Sequence, residues 1–342
     1  MNRSTSVPDL LARARDVTAP VMAAAVDRLV PEIRRPVTYH LGWTDEQGRP
    51  LGAPGGKGIR PALALLSAEA AWAEPEVGVP GAVAVELVHN YSLIHDDIID
   101  GDVERHHRPT VWTVFGIGRA IIAGDALDTL AHQVLLEASP SAGPRAVAAL
   151  ADATAEMIAG QADDIAFETR RQVGVDECMA MSAAKTGALL GCAASIGAVL
   201  AAAPPATVGA LRDFGRHLGL AFQAVDDLLG IWGDPATTGK PAGNDLRQRK
   251  KSMPVVSALA AGGEEAEELR ALLVGDDDGP LEDDQVHRAA FLVEACGGRE
   301  WTTVRAKAHL DSALGALERV RLSAVPHRQL ADIAAFAVER QA

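Results

Sequence analysis

Two aspartate pairs, Asp96-Asp97 and Asp226-Asp227, each lie inside an apolar run, and that placement restricts the chain more than any other feature of its sequence. The first run reads Glu86-Leu-Val-His-Asn-Tyr-Ser-Leu-Ile-His-Asp-Asp-Ile-Ile-Asp100. On a helix turning 100° per residue, Asp96 and Asp100 fall within about 20° of His89, so the polar groups form one stripe on an apolar rod. Gly101 is expected to stop that helix and leave Asp96, Asp97 and Asp100 crowded in its last turn. There the helix dipole costs each acid about 0.3–1 kcal/mol, and like charges at i,i+4 cost a further 0.2–0.5 kcal/mol or so. A helix that only packs gains nothing from this arrangement, whereas one that binds a cation does. The second run, Phe222-Gln-Ala-Val-Asp-Asp-Leu-Leu-Gly230, repeats the pattern and again meets a glycine. Clustered carboxylate oxygens suit Mg2+, a hard ion that keeps waters and bridges to phosphate oxygens. One aspartate pair alone reads equally well as a solvated helix face, but two pairs on two apolar helices favour metal binding.

The remainder of the chain reads as helices. Apolar residues make up 48% of the 342 and aromatics only 4%, which favours closely packed helices over sheets. Helical periodicity covers Leu10 to Val30, Ile59 to Trp72, Val79 to Asp100, Val147 to Thr169, Val175 to Ala201, Thr207 to Leu229 and Val286 to Cys296. No repeat and no interdomain linker interrupts it, so one all-α domain over residues 1–342 is expected. Trp43 to Gly58 and the acidic run Gly275 to Asp284 read as surface loops. The formal charge of −14 argues against a nucleic-acid surface. Cys178, Cys192 and Cys296 have no metal or disulfide spacing and read as reduced thiols of a cytoplasmic protein. Met1 to Val21 lacks the apolar core of a signal peptide. Thr186 to Ala203 is apolar but rich in Ala and Gly, and reads as a buried central helix rather than a transmembrane segment.

Basic residues accompany the acids. Gly55-Gly-Lys57-Gly-Ile-Arg60-Pro61 places Lys57 and Arg60 at a helix start, where backbone N–H groups also attract anions. Arg105, His106, His107 and Arg108 follow the first pair, while Lys185, Lys240, Lys250 and Lys251 lie along the second half. Any one of these reads as a solvated charge; beside two carboxylate clusters they read as diphosphate clamps.

These motifs, in this order, resemble the trans-isoprenyl diphosphate synthases, of the short-chain type. GGKxxRP, HxxSLIHDDxxD, an arginine with RPT, GQxxD, KTG, FQxxDD and GDxxxxGKxxxxDL carry the likeness, which spans about 55–254. The resemblance implies an isoprenoid synthase-type helical bundle around a deep central cavity, a homodimer, and two aspartate pairs facing one another across an apolar cleft. It implies that Asp96, Asp100 and Asp226 hold three Mg2+ against an allylic diphosphate, helped by Asp97, Asp227, Arg105, Lys185 and Lys240. Thr186 and Gln223 would steady the allylic cation. Isopentenyl diphosphate would be held by Lys57, Arg60 and His89, with Arg105, His106 and Lys250 as further substrate-binding residues.

Two positions depart from that pattern. The second motif carries Gly230 where a third aspartate is usual, and His106 stands where a second arginine is usual. Histidine is only partly charged near neutral pH and lacks the guanidinium fork, so weaker binding of isopentenyl diphosphate is expected unless Arg108 substitutes. In this family the floor of the cavity lies four and five residues before the first aspartate, here Ser92 and Tyr91. The Tyr91 ring and the small Ser92 favour a C20 product over C15. Two other functions fit the same scaffold: a terpene synthase or cyclase, and a non-catalytic partner subunit. The retained Lys57, Arg60 and His89 argue against the first, and the intact acids against the second.

Overall fold

In the computed structural model, residues 6–51, 58–234, 242–274 and 279–338 are described. They form helices α1 (Val7–Val26), α2 (Pro31–His40), α3 (Ile59–Ala70), α4 (Pro75–Ile99), α5 (Val111–Phe115), α6 (Ile117–Ala138), α7 (Gly143–Thr169), α8 (Val175–Ser182), α9 (Ala188–Leu200) and α10 (Pro205–Trp232). Beyond them lie α11 (Asn244–Arg247), α12 (Met253–Ala260), α13 (Glu264–Leu273), α14 (Asp283–Ala295), α15 (Gly298–Leu317) and α16 (Ala324–Val338). The only sheet among the described residues is a hairpin of β1 (Glu104–Arg105) and β2 (Arg108–Pro109). The all-α expectation holds.

Several boundaries differ from the sequence reading. The helix read through Val30 stops at Val26, and Pro31, well placed at a first helical position, starts α2. Gly230 does not end α10, which continues to Trp232 because a single glycine in a long packed helix costs only about 1 kcal/mol. The run from Val175 is continuous but passes through a π-helical turn, Ala183–Gly187, between α8 and α9. Asp283 and Asp284, read as loop, form the first turn of α14, where the dipole favours acids.

The chain divides into two compact units whose boundaries fall inside α7, α9, α10 and α16 and just after α15: Met1–Thr154 with Cys192–Arg212 and Arg319–Ile333, and Ala155–Gly191 with Asp213–Glu318 and Ala334–Ala342. In the first, α4 is covered by α3 and α6. Small residues let helices meet closely there: a Cβ on Gly197 of α9 would collide with the Ala64 carbonyl and with Ser67 Oγ of α3. In the second unit, α12 joins two cores. Val255 and Ala258 pack with Leu246, Leu269 and Leu292, while Met253 and Val256 pack with Leu220, Ala224 and Ala306.

By length and composition α4 and the Val175–Leu200 run could each cross a membrane, yet 61% and 78% of their apolar windows are buried within the protein. That burial identifies them as core helices, as the sequence reading had it for the second.

Candidate active site

In the first unit the site is built on the end of α4. Asp100 caps the helix, its N–H bonded to the Asp96 carbonyl at 2.8 Å, and Gly101 at φ +68° turns the chain away. Asp96 is half-buried and Asp100 exposed, on the stripe the spacing predicted. Asp97 points the other way and is only 1% exposed. The hairpin exists to meet it. His106 (φ +51°) and His107 (φ +59°) form a two-residue loop with both residues in the left-handed region, the geometry that matches strand twist. That tight turn brings Arg105 back to α4, where its Nε donates to Asp97 Oδ1 at 2.7 Å. Asp97 Oδ2 is buried with no hydrogen-bond partner among the described residues. Arg108 serves the scaffold instead. Its guanidinium donates to the Tyr39 and Thr44 carbonyls, both at 3.1 Å, and lies 4.3 Å over the Tyr39 ring. It is therefore not available as the replacement cation considered for His106.

Around His89 positive groups crowd. Burial holds its imidazole well below the usual range, and Arg60, His40, Arg105 and His106 push it further down. His40 of α2 is depressed to about 3 by burial and then by Arg105, with a hydrogen bond to Asn90 opposing. Burial lowers Arg60 as well, against the pull of Glu86, and its Nε is buried with no hydrogen-bond partner among the described residues. Glu86 is raised by burial, against Arg60 and Asn90. His40, Glu86 and Asn90 were not among the expected site residues. Glu86 and Asn90 flank His89 on α4, which was a usable signal; His40 comes from a helix that the sequence reading did not anticipate.

Tyr91 is half-buried and packs edge-on against His95, ring centroids 4.9 Å apart. Burial raises its phenol, and Asp128, Asp125 and Asp96 raise it further. Ser92 Oγ donates back to the His89 carbonyl at 2.9 Å, so its hydroxyl is satisfied by its own helix.

In the second unit the π turn places the KTG residues. Lys185 Nζ meets Asp164 Oδ2 of α7 at 2.5 Å. A Cβ on Gly160 would lie 2.8 Å from Lys185 Cα, so glycine is what lets α7 approach this turn. π turns recur at functional sites because the extra residue re-aims side chains. Thr186 Oγ1 donates to Gln223 Oε1 at 2.7 Å, and Gln223 Nε2 donates to Asp227 Oδ1 at 2.8 Å. Asp227 Oδ2 accepts from the Met253 N–H at 2.9 Å, the first orphan donor of α12. Asp226, by contrast, is exposed. Burial pushes Asp227 up to about 7, Lys250 opposing and Asp245 adding to the rise. Burial works against the charge of Lys250, but Asp245, Asp227, Asp164 and Asp226 outweigh it and raise its pKa. Lys57 and Lys240 lie outside the described residues.

Each pair thus splits into an outward aspartate, Asp96 or Asp226, and a buried one that holds neighbouring groups in place. Asp96, Asp100 and Asp226 are hard oxygen donors open to solvent. Among the described residues no three His, Cys, Asp or Glu side chains close on a common metal position. Carboxylate oxygens of this kind suit a hard cation such as Mg2+, which takes one or two carboxylates and completes its shell with waters and substrate phosphates.

Known proteins resemble this chain over most of its length. The sequence model of the polyprenyl synthetase family matches residues 43–290. A (2E,6E)-farnesyl diphosphate synthase of Mycobacterium tuberculosis is 48% identical over 97% of this chain and 93% of its own length. A geranylgeranyl diphosphate synthase of the same species is 41% identical over 90% of this chain and 88% of its own length. The crystal structure of a polyprenyl synthetase from Streptomyces coelicolor A3(2) superposes with a TM-score of 0.94 at 52% identity, covering 97% of this chain and 100% of that one. A geranylgeranyl pyrophosphate synthase from Corynebacterium glutamicum, solved with isoprenyl diphosphate and magnesium, gives a TM-score of 0.84 at 27% identity, covering 98% and 100%.

Proposed function

The chain belongs to the polyprenyl synthetase family and is a prenyltransferase of the short-chain isoprenyl diphosphate synthase type, and from that premise we propose that it joins isopentenyl diphosphate to an allylic diphosphate with Mg2+, giving C20 in preference to C15. The observation that carries the reading is the crowding of Arg60, Arg105, His40, His89 and His106 around α4. Beyond burial, Arg60, His40, Arg105 and His106 disfavour protonation of His89, and Arg105 and His106 that of His40, so an anion placed among them relieves repulsion that the protein alone leaves standing. An enzyme that only ionises an allylic diphosphate has no use for a second anion site; a condensing enzyme does.

We assign the acceptor diphosphate to Lys57, Arg60, His89, Arg105 and His106, and the allylic diphosphate to Lys185, Lys240 and Lys250. Mg2+ held by Asp96, Asp100 and Asp226, three ions by the resemblance, would supply the positive charge that makes diphosphate a tolerable leaving group. The Thr186 hydroxyl, oriented by Gln223, offers oxygen lone pairs to a developing cation. Asp97 and Asp227 act through what they position: Arg105 in one case, Gln223 and the start of α12 in the other. The size of Ser92 beside Tyr91 supports C20, while the higher identity of the farnesyl synthase relative favours C15. Ile117, Ile121, Ile122 and Leu136 are exposed on α6, an apolar set suited to a second copy in a homodimer. The unpaired Cys178, Cys192 and Cys296 suit the cytoplasm.

Incubation of the purified protein with Mg2+, isopentenyl diphosphate and each of dimethylallyl, geranyl and farnesyl diphosphates tests the proposal. Elongated diphosphates support it, and their length decides between C20 and C15. Hydrocarbons without elongation would establish a cyclase; no product with any substrate would favour a partner subunit.

A further inference from the structure

Away from the acidic clusters, His217 of α10 and His309 of α15 meet ring to ring, their Nδ1 atoms 3.1 Å apart and their planes 28° from parallel. We propose that this pair is a second metal site, for a divalent transition-metal ion of the Zn2+ class, held by the two Nδ1 atoms with water completing its shell. The site is independent of prenyl transfer, which uses neither ring.

Packing sets the pair. Leu220 and Ala224 of α10 share a core cluster with Ala306 of α15. His217 lies three residues before Leu220 and His309 three after Ala306, so the helical period delivers both rings to the same contact. Both are half-buried, fixed on helices yet within reach of an ion. Zn2+ binds imidazole nitrogen at about 2.0–2.1 Å, so two nitrogens 3.1 Å apart subtend about 95–102° at the ion, close to the tetrahedral angle of about 109°.

The electrostatics favour the ligand form. A metal-binding imidazole must be neutral, and burial, then His217 and Arg305, lower the His309 pKa. Arg305 is the cation that opposes an ion here, but its guanidinium lies 5.0 Å over the Trp301 ring of its own helix. Arg216, beside His217, is met by both carboxylate oxygens of Glu156. Asp213, one turn before His217, adds negative charge to this face of α10. Among the described residues no third His, Cys, Asp or Glu closes on the pair, so the ion would keep waters and exchange, unlike zinc in a closed structural site. A plain hydrogen bond is the rival reading, with one ring donating its Nδ1 hydrogen to the other. Zn2+ would take the place of that hydrogen, the donor ring staying neutral by carrying it on Nε2.

Calorimetric titration of Zn2+ into the full-length protein, with excess Mg2+ to occupy the carboxylate clusters, separates the two. Mg2+, a hard ion that prefers oxygen, should not compete for the imidazoles. His217→Gln and His309→Gln should each weaken one Zn2+ site by about tenfold or more, and the double variant should weaken it no further, since losing either ring breaks the chelate. His309→Cys keeps a zinc ligand but is a poor hydrogen-bond partner, so it should retain the site. That variant decides the matter if the glutamine variants fail to fold by circular dichroism. Identical Zn2+ isotherms in wild type and folded glutamine variants would overturn the proposal and leave a hydrogen-bonded pair. So would a folded His309→Cys protein that has lost the site, or wild-type Zn2+ binding that excess Mg2+ abolishes.

Discussion

Asp97 and Asp227 occupy the same place in their pairs, one residue after an outward aspartate on an apolar helix, and the chain compensates them by different means. Asp97 is met by a guanidinium: Arg105 donates a charge-assisted hydrogen bond from a hairpin whose tight turn aims it. Asp227 is met by dipoles, the Gln223 amide and the Met253 N–H at the start of α12, with Lys250 contributing at longer range. Burial raises both carboxyls, but only Asp227 is carried to about 7. At Asp97 the guanidinium in contact works against the effect of burial, while at Asp227 amide donors and the Lys250 charge do so. The same two-residue motif can therefore be an ion pair in one setting and a titratable cap in another.

The outward members should behave alike, and this gives the largest expected effect. Asp96→Ala and Asp226→Ala should each lower turnover by about 10³-fold or more, the scale of losing several kcal/mol of charge stabilisation, and neither should lower the melting temperature. Single-turnover product formation checks this; a large loss at one position only would show that the two clusters are not equivalent. The buried members should diverge. Asp97→Asn leaves Arg105 facing a neutral amide and should destabilise the fold by about 1–3 kcal/mol in urea unfolding. An unchanged midpoint would mean that the Arg105–Asp97 pair contributes nothing net.

The placement of Asp96 and Asp100 on one stripe was legible because a helix with a fixed period determines it. The inward turn of Asp97 and Asp227 follows from the same arithmetic, 100° away, but its consequence was not legible, since the partners arrive from a hairpin and from the end of a distant helix. Gly230 was misread for a related reason. The sequence presents it as a helix stop, whereas α10 runs through it to Trp232, with the Asp245 carboxylate from fifteen residues on lying against it. Of the helices from α12 onward only α14 is legible, as Val286 to Cys296; α12 and α13 are short, and the longer α15 buries Gly298, Thr302, Ala306 and Ala313, a face of small residues that carries little apolar periodicity. His40 is a contact of the same kind, set by tertiary packing alone.

Asp227 offers a pH test of the contrast. Its folded carboxyl sits near 7 against 3.8 when unfolded, so between those values the folded chain holds a proton that the unfolded chain has released. Stability attributable to this group therefore falls as pH rises through that window. Asp227→Asn cannot titrate and keeps an acceptor for the Met253 N–H, so in chelator-treated protein it should flatten the decline. The variant should match wild type near pH 4 and exceed it near pH 8. A variant less stable than wild type at both ends would show that Asp227 is held as an ion, like Asp97.

The smallest expected effect concerns the turn that aims Arg105. His106→Arg restores a guanidinium where the family usually has one, and Arg108 cannot duplicate it while its donors are held by the Tyr39 and Thr44 carbonyls. Two terms oppose each other. An arginine adds a full charge and a fork for diphosphate, whereas the left-handed backbone at φ +51° suits histidine better than arginine. The strain is present with and without substrate, so it cancels from binding and appears only in stability. The Michaelis constant for isopentenyl diphosphate should therefore fall by a few-fold while the melting temperature drops slightly. If the constant is unchanged and the melting temperature alone falls, position 106 serves only the turn, and Arg105 is the one hairpin cation that the acceptor diphosphate meets.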